Sequence, residues 1–337
     1  MRRSWLSTLG CIVVLHLSCS RKPPVLPHSP LFSRSILLRY LLCALPTAIV
    51  PCLSRAAPPE NALPLPAKDE IYSRYPYQRP EDFLRFINDC SDEGDAKSVL
   101  QAMDRFAEAY PMYKLSPPKA NLLAQTMKSA YPKRVLEIGS FFGYSAIYLA
   151  ANMPQDCLLC CIEGSAENAA MATQLLMRSF AKDKQILQRV RIVNSLSSKI
   201  LRNNDASHDL FVGTNVLGTE FRSDAPNQFD FVFMDHDKDC YLPDLITLEE
   251  KNLLRNRDCV IVADNVIFPG APDFLSYVGV DQEYLSSLDF DLKLPATALN
   301  SSWQSEVKEF PFERIGFETQ FRLKRDGMSI SRRLLRQ

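Results

Sequence analysis

Hydrophobic and polar positions change their spacing several times along this chain of 337 residues. Apolar residues recur with helical spacing in Glu81–Asn88 and in Asp95–Ala109, and a third helix is expected over Ala120–Ala130, after the Pro117-Pro118 break. From Arg134 onward strands and helices alternate. Arg134–Ile138 is a short apolar strand, followed by a glycine-containing turn and a helix over Tyr144–Asn152. A strand at Cys157–Ile162, a helix at Ala166–Ser179 and a strand at Val190–Val193 come next. The last alternation is the strand Phe229–Met234, the helix Tyr241–Leu254 and the strand Cys259–Ala263. Such alternation implies a parallel sheet wrapped by helices, hence a doubly wound, mostly parallel α/β fold. Trp303–Phe310 and Gly316–Leu323 are strand-like with no helix between them, and predict an antiparallel pair at one edge. In sheets of this class ligands bind beyond the carboxyl ends of the strands, where the strand order reverses.

The N-terminal part has a different composition. Seven basic residues, from Arg2 to Arg55, precede the first acidic one, Glu60. A basic, Ser-rich, acid-free stretch is typical of a targeting leader. Gly10–Leu17 is short, like the apolar region of a signal peptide, while residues 36–53 are longer but interrupted by Arg39 and Pro46. A bilayer-spanning helix needs about 20 apolar residues, so 36–53 is a marginal membrane anchor. A cleaved organelle or secretory leader and a retained anchor both fit. The expected organisation is a leader or anchor over residues 1–60, a Pro-rich linker over 61–80, a folded domain over 81–325 and a tail over 326–337. Beyond residue 60 the chain carries 32 basic and 38 acidic residues, a balance that argues against a nucleic-acid partner. Cys157 and Cys160 form a lone C-x-x-C with no second pair to complete a zinc site. They lie in an apolar run and read as buried free thiols, which suits a reducing compartment for the domain.

Three strand ends carry chemistry. In VLEIGSFFGYSAIYLA, Gly139 and Gly143 free the turn for close approach of a ligand, and Glu137 ends the strand facing the same crevice. The glycines are four apart, unlike a pyrophosphate-binding G-x-G-x-x-G, and a carboxylate there repels phosphate but attracts an ammonium. Glu163 ends the next strand, placed to accept hydrogen bonds from ribose hydroxyls. The three features together suggest a nucleoside bearing an amino acid. The third strand end is FDFVFMDHDKDCYLPDL, where a core strand runs straight into charge. Asp235 ends that strand and Asp264-Asn265 ends the next, a hard all-oxygen donor set that suits Mg²⁺. The spacing Asp235-x-Asp237-x-Asp239 opens like an EF-hand, but Cys240 and Ile246 stand where that loop needs Gly and Glu. Asp239 is expected to help cap the following helix. Lys238 either pairs with Asp239 or Asp244 at the surface or, beside a divalent ion, removes a proton from a bound hydroxyl. His236 reads as a packing residue, and no Ser–His–Asp arrangement suggests itself.

These segments, with VADNVIFPGAPDFL, resemble the catechol O-methyltransferase family over about Gly94 to Phe321. The resemblance implies a class I methyltransferase fold, a seven-stranded sheet with an antiparallel last strand, and the cofactors S-adenosylmethionine and Mg²⁺. It implies methyl transfer to a vicinal diol on a small aromatic acceptor by a monomer. Asp235, Asp264 and Asn265 would then ligate Mg²⁺, Lys238 would be the general base, and Glu163 would hold the ribose. Gly139, Tyr144 and Ser145 would lie against the methionine moiety, with Glu137 close by. On the acceptor side the resemblance places Asn265 and Pro269. Glu309 would bind the second hydroxyl if the alignment is anchored on Gly316, and Lys308 takes that place if it is anchored on Trp303. The chain departs from the family at the acceptor wall, with Asp237 and Pro111 where tryptophans stand and Tyr113 for a methionine. A more polar or open pocket follows. Two stretches, around Asn203–Asn227 and Val280–Ser302, are longer than the family's. A phenylpropanoid or flavonoid diol is an alternative acceptor, and a non-catalytic binding protein of the same fold is an alternative function. The intact set of Asp235, Asp264, Asn265 and Lys238 counts against the latter.

Overall fold

The computed structural model describes residues 65–222, 227–288, 302–311 and 325–334. The chain divides into two units, Met1–Ala57 and Pro58–Gln337, and every described residue belongs to the second. Its strands are β1 (Arg134–Ile138), β2 (Leu158–Glu163), β3 (Val190–Asn194), β4 (Val212–Thr214), β5 (Glu220–Arg222), β6 (Phe231–Met234), β7 (Val260–Ala263), β8 (Trp303–Pro311) and β9 (Arg325–Arg333). Seven of them form one sheet in the order β3-β2-β1-β6-β7-β9-β8, and β4 and β5 form a separate hairpin. From β3 to β7 the pairing is parallel, and β9 runs antiparallel to both its neighbours. The chain builds outward from β1 to β3 and then returns to place β6 against β1, so the order reverses at β1/β6. Ile138 of β1 pairs with Met234 of β6, which pairs with Ala263 of β7, and these three carboxyl ends lie level.

Period-2 alternation explains how the sheet is buried on both faces. Val135, Phe231, Phe233 and Val262 join helix residues such as Phe83, Phe106 and Leu123 on one side. Leu136, Ile138, Val232, Met234 and Ile261 meet Tyr241, Leu245 and Phe274 on the other. Cys157, Cys160 and Cys161 are buried free thiols, as expected of an apolar strand, and burial pushes Cys157 and Cys160 up to about 12.

Four expectations are corrected. Pro117 and Pro118 are the first turn of a helix, Pro117–Ala130, and not a break before it, because proline tolerates a position whose N–H has no helical partner. The Pro-rich linker contains the helix Lys68–Arg74, whose Ile71 is buried, and Tyr75 packs edge-on to Phe86 at 5.0 Å. The helix from Tyr241 ends at Glu250, with Asn252 turning at φ 54° so that Leu253 and Leu254 can drop into the core. The partner of β8 is β9, drawn from the expected tail, whereas Gly316–Leu323 lies outside the described residues. The run DGMSISRR looks too polar for an inner strand. Ser331 Oγ meets Ser305 Oγ of β8 at 2.8 Å and Arg333 donates to the Leu254 carbonyl, whereas Ser329 Oγ is buried with no hydrogen-bond partner among the described residues.

The long stretch around Asn203–Asn227 is partly core. It supplies the hairpin β4–β5 and the helix Ala206–Phe211, and Phe211 stacks on Phe229 with centroids 4.5 Å apart. Among the described residues no helix is long and apolar enough to cross a membrane, and residues 36–53 lie outside them.

Candidate active site

A cleft of roughly 1030 Å³ opens over the carboxyl ends of β1, β2, β6 and β7. Gly139, Tyr144, Ser145 and Glu163 border one part of it. Asp235, Lys238, Asp264, Asn265 and Pro269 border the other. Glu137 and Glu309 do not border it. Glu309 sits on β8, where it accepts from Tyr284 Oη at 3.0 Å and pairs with Arg325 at 2.9 Å. Lys308 pairs with Glu306, also outside the lining. Asp326, from the segment expected to be a tail, also borders the same part of the cleft as Asp264.

At the β1/β2 end, glycine serves a contact within the chain. A Cβ on Gly139 would lie 2.5 Å from the Asp235 carbonyl oxygen, with φ at +90°, so the tip of β1 can touch β6 only through glycine. Gly143 likewise lets the turn approach Ala172. Both glycines were expected to admit a ligand, and both also admit a neighbouring backbone, with Gly139 bordering the cleft. Glu163 accepts the Phe141 N–H at 2.8 Å and the Ser140 N–H at 3.2 Å through Oε2. Its Oε1 accepts the Ser165 N–H at 2.9 Å. Glu137 is fully buried beneath the cleft floor instead of facing the crevice. Its Oε2 accepts Ser140 Oγ at 2.8 Å, and Oε1 has no hydrogen-bond partner among the described residues. Burial pushes this carboxyl up to about 7. An orphaned buried carboxylate oxygen under a serine is chemically matched to an amino-acid ammonium arriving through that turn. Ser140 links the two glutamates, and nothing in its type or spacing marked it in advance.

At the β6/β7 end, Lys238 Nζ donates to Asp235 Oδ1 at 3.0 Å and to Tyr241 Oη at 2.6 Å. Tyr241 is buried and donates in turn toward the carbonyls of Met234 and Asp264. Burial, then the charges of Asp235 and Asp264, hold its phenol protonated. Lys238 therefore pairs inward with Asp235, and not with Asp239 or Asp244. Asp237, not Asp239, caps the turn, accepting the Asp239 N–H at 3.2 Å. His236 pairs with Asp244 at 2.9 Å and packs on Tyr241, as a packing residue should.

Lys119 and Asp326, which escaped the sequence reading, stand behind these groups. Lys119 Nζ donates to Asp264 Oδ1 at 2.6 Å and also to Asp326 Oδ2, with all three residues at most 6% exposed. Burial and then the Asp235 charge push the Asp264 carboxyl up to about 7, and the two aspartates keep Lys119 charged against its burial. Asn265, at φ 54°, donates Nδ2 to Asp326 Oδ2 at 2.6 Å. A helical signal for Lys119 existed, since it falls four residues before Leu123 and eight before Met127 on the buried face of its helix.

Among the described residues no three His, Cys, Asp or Glu side chains gather as a metal cluster. The candidate donors are the two carboxylates of Asp235 and Asp264 and the amide oxygen of Asn265. Their chemistry fits a hard divalent cation. The Asn265 nitrogen is engaged by Asp326, which leaves its oxygen open, and three aspartates here face only the ammonium groups of Lys119 and Lys238.

A second cleft, of about 740 Å³, lies beyond β3 and is bordered by Arg191, Lys199, Arg202 and His208. It contains none of the predicted site residues.

An O-methyltransferase family model matches residues 91–274. The chain is 32% identical over 201 residues to catechol O-methyltransferase of Mus musculus, covering 59% of this chain and 68% of that protein. It is 31% identical over 209 residues to catechol O-methyltransferase B of Danio rerio, covering 62% and 71%. A solved O-methyltransferase from Bacillus cereus, in complex with SAH, superposes with a TM-score of 0.47 at 16% identity, covering 79% of this chain and 96% of that one. With the family match spanning more than half of its length, and the sheet order and cleft described above, this chain belongs to the O-methyltransferase family of S-adenosylmethionine-dependent enzymes.

Proposed function

We propose that the protein transfers the methyl group of S-adenosylmethionine to one hydroxyl of a vicinal aromatic diol, with Mg²⁺ held by Asp235, Asp264 and Asn265. The observation that carries this reading is the meeting of those three side chains and Lys238 at one end of a cleft whose other end holds Glu163. Mg²⁺ held there would supply positive charge that makes a diol hydroxyl more acidic.

The rest falls to the chain's own side chains. Lys238 can accept the hydroxyl proton only as the free amine, becoming the ammonium that Asp235 pairs with, and Tyr241 and Asp235 hold its nitrogen at the edge of the cleft. The freed oxygen attacks the sulfonium methyl, a C–O bond forms as the C–S bond breaks, and S-adenosylhomocysteine leaves. Rate comes mainly from holding oxygen and methyl carbon in line at contact distance. Glu163 is already saturated by turn N–H groups, so ribose hydroxyls share its lone pairs with Ser140 and Phe141. Tyr144 and Ser145 line the methionine end, and Glu137 bears on it only through Ser140, whose hydroxyl donates to it. Phe268 and Pro269 flank the acceptor position, and Asp237 at the rim makes that wall polar. Glu309 stands outside, so the second hydroxyl has no partner there in the described structure.

Transfer of labelled methyl to a panel of vicinal diols and matching monophenols, with and without chelator, tests the reading. Labelling of diols that stops on chelation is expected. Equal labelling of monophenols would contradict it, and the most active diol separates a simple catechol from a phenylpropanoid or flavonoid acceptor. We also infer that residues 1–60 deliver the chain to an organelle or membrane. Mass spectrometry of the native N-terminus in fractionated cells checks that, and Met1 retained in a membrane-free fraction would contradict it.

A further inference from the structure

We propose that Asp326, with Lys119 as its counter-ion, is a buried positioning clamp that sets how Asn265 and Asp264 face the divalent ion. The proposal rests on the Mg²⁺ reading above. The amide of Asn265 has two chemically different ends, and only its oxygen can serve a cation. Asp326 Oδ2 accepts from Nδ2 at 2.6 Å, which decides the sense of the amide. Asp326 is itself held, since its Oδ1 accepts the N–H groups of Gly327 at 2.6 Å and Phe268 at 3.3 Å. Its position is thus tied to the start of β9 and to the turn after β7.

Lys119 completes the arrangement from a third element, the first turn of the helix Pro117–Ala130. Its ammonium bridges Asp326 Oδ2 and Asp264 Oδ1. The same Asp264 oxygen accepts the Asn265 N–H at 2.7 Å. With Oδ1 engaged twice, Asp264 has Oδ2 left for a cation. Neither Lys119 nor Asp326 is assigned a ligand role. They act through Asn265 and Asp264, as outer partners that orient metal ligands commonly do.

Mn²⁺ binding to the full chain, measured by electron paramagnetic resonance, tests the clamp without relying on turnover. Asp326→Asn keeps the shape but presents an amide N–H₂ to Asn265 and Lys119, both donors, so the Asn265 amide turns its nitrogen outward. A 10- to 100-fold loss of Mn²⁺ affinity is expected, the range typical of lost outer partners, with S-adenosylmethionine affinity within twofold of the parent. Lys119→Met removes the bridge that holds Asp264 Oδ1 and is expected to lower Mn²⁺ affinity as well, again with S-adenosylmethionine affinity within twofold, whereas Lys119→Arg keeps the cation and stays within threefold of the parent. A residue that merely held the fold together would not lower Mn²⁺ affinity while sparing S-adenosylmethionine. Asp326→Asn within twofold of the parent overturns the clamp. If Asp326→Asn does not fold, Lys119→Met decides, and Mn²⁺ affinity within twofold of the parent there overturns it. A parent chain that binds no Mn²⁺ overturns the metal reading and the clamp together.

Discussion

The two ends of the cleft handle buried carboxylates in opposite ways. At the β1/β2 end the partners come from the neighbouring turn. Ser140, three residues away, donates to one oxygen of Glu137 and leaves the other without a partner among the described residues, and turn N–H groups 22 and 23 residues away donate to Glu163. At the β6/β7 end, Asp264 and Asp326 are joined by a lysine 145 and 207 residues distant. The first end is a turn that can form once two adjacent strands pair. The second exists only when a helix from the front of the domain and a strand from its very end reach the same point. One consequence is mechanical. Removing a partner from a buried ion pair costs about 3–5 kcal/mol, so the distant end ties the acceptor side of the cleft to the completeness of the fold.

The largest effect expected is at the distant end. Asp264→Ala removes a proposed ligand and the acceptor of Lys119, and should lower turnover more than ~1000-fold, while calorimetry finds S-adenosylmethionine affinity nearly unchanged. If the cofactor is lost as well, the two ends are not separable as described. Next is Lys238→Ala, where a drop in kcat of about 10²–10⁴ is expected for loss of a general base, with Mn²⁺ and cofactor affinities kept. A falling KM with unchanged kcat would speak for a binding role instead.

The local end should reveal itself through pH. Glu137 is raised from 4.5 to about 7, so the folded chain holds its proton to higher pH than the unfolded chain does. That contribution is fully present below about pH 4.5 and is lost as pH rises through about 7, roughly 3 kcal/mol in all. Glu137→Gln removes this slope. Melting curves from pH 4 to 8 without cofactor should fall less for the variant than for the parent, and superimposable curves would show that burial does not control this carboxyl. The smallest effect is expected for Tyr241→Phe, which deletes the contact positioning Lys238 and should cost about tenfold in kcat and 1–2 kcal/mol of stability. A change confined to stability would leave the phenol a packing group only.

The same contrast explains what could be read from the residues alone. The alternation from Arg134 to Ala263, the level tips of β6 and β7, and the donor set Asp235, Asp264 and Asn265 are short-range patterns, and they translate directly into strand ends. Lys238 was expected to pair with Asp239 or Asp244 and turns instead to Asp235, three residues before it. Lys119 and Asp326 do not follow from any local pattern. Pro117-Pro118 looked like a boundary, which hid the helical position of Lys119. DGMSISRR lacks the apolar run of an inner strand, and the partners that receive Ser331 and Arg333 are Ser305 of β8 and the Leu254 carbonyl, both remote in sequence. Glu309 was placed by alignment, and its outward pairing with Arg325 depends on the β8/β9 register, Glu309 opposite Gly327. The glycines were singled out for a ligand's approach, and the structure adds a second demand on them. Their close approach is to Asp235 and Ala172, contacts visible only in three dimensions.

Methyl transfer from labelled S-adenosylmethionine to a vicinal aromatic diol, assayed after exhaustive chelation and again after Mg²⁺ is restored, bears most directly on the paired strand tips. Turnover that vanishes on chelation, returns with Mg²⁺, and cannot be restored in Asp264→Ala is the predicted result. Undiminished turnover in the chelated parent would contradict the assignment of Asp235, Asp264 and Asn265 to a cation.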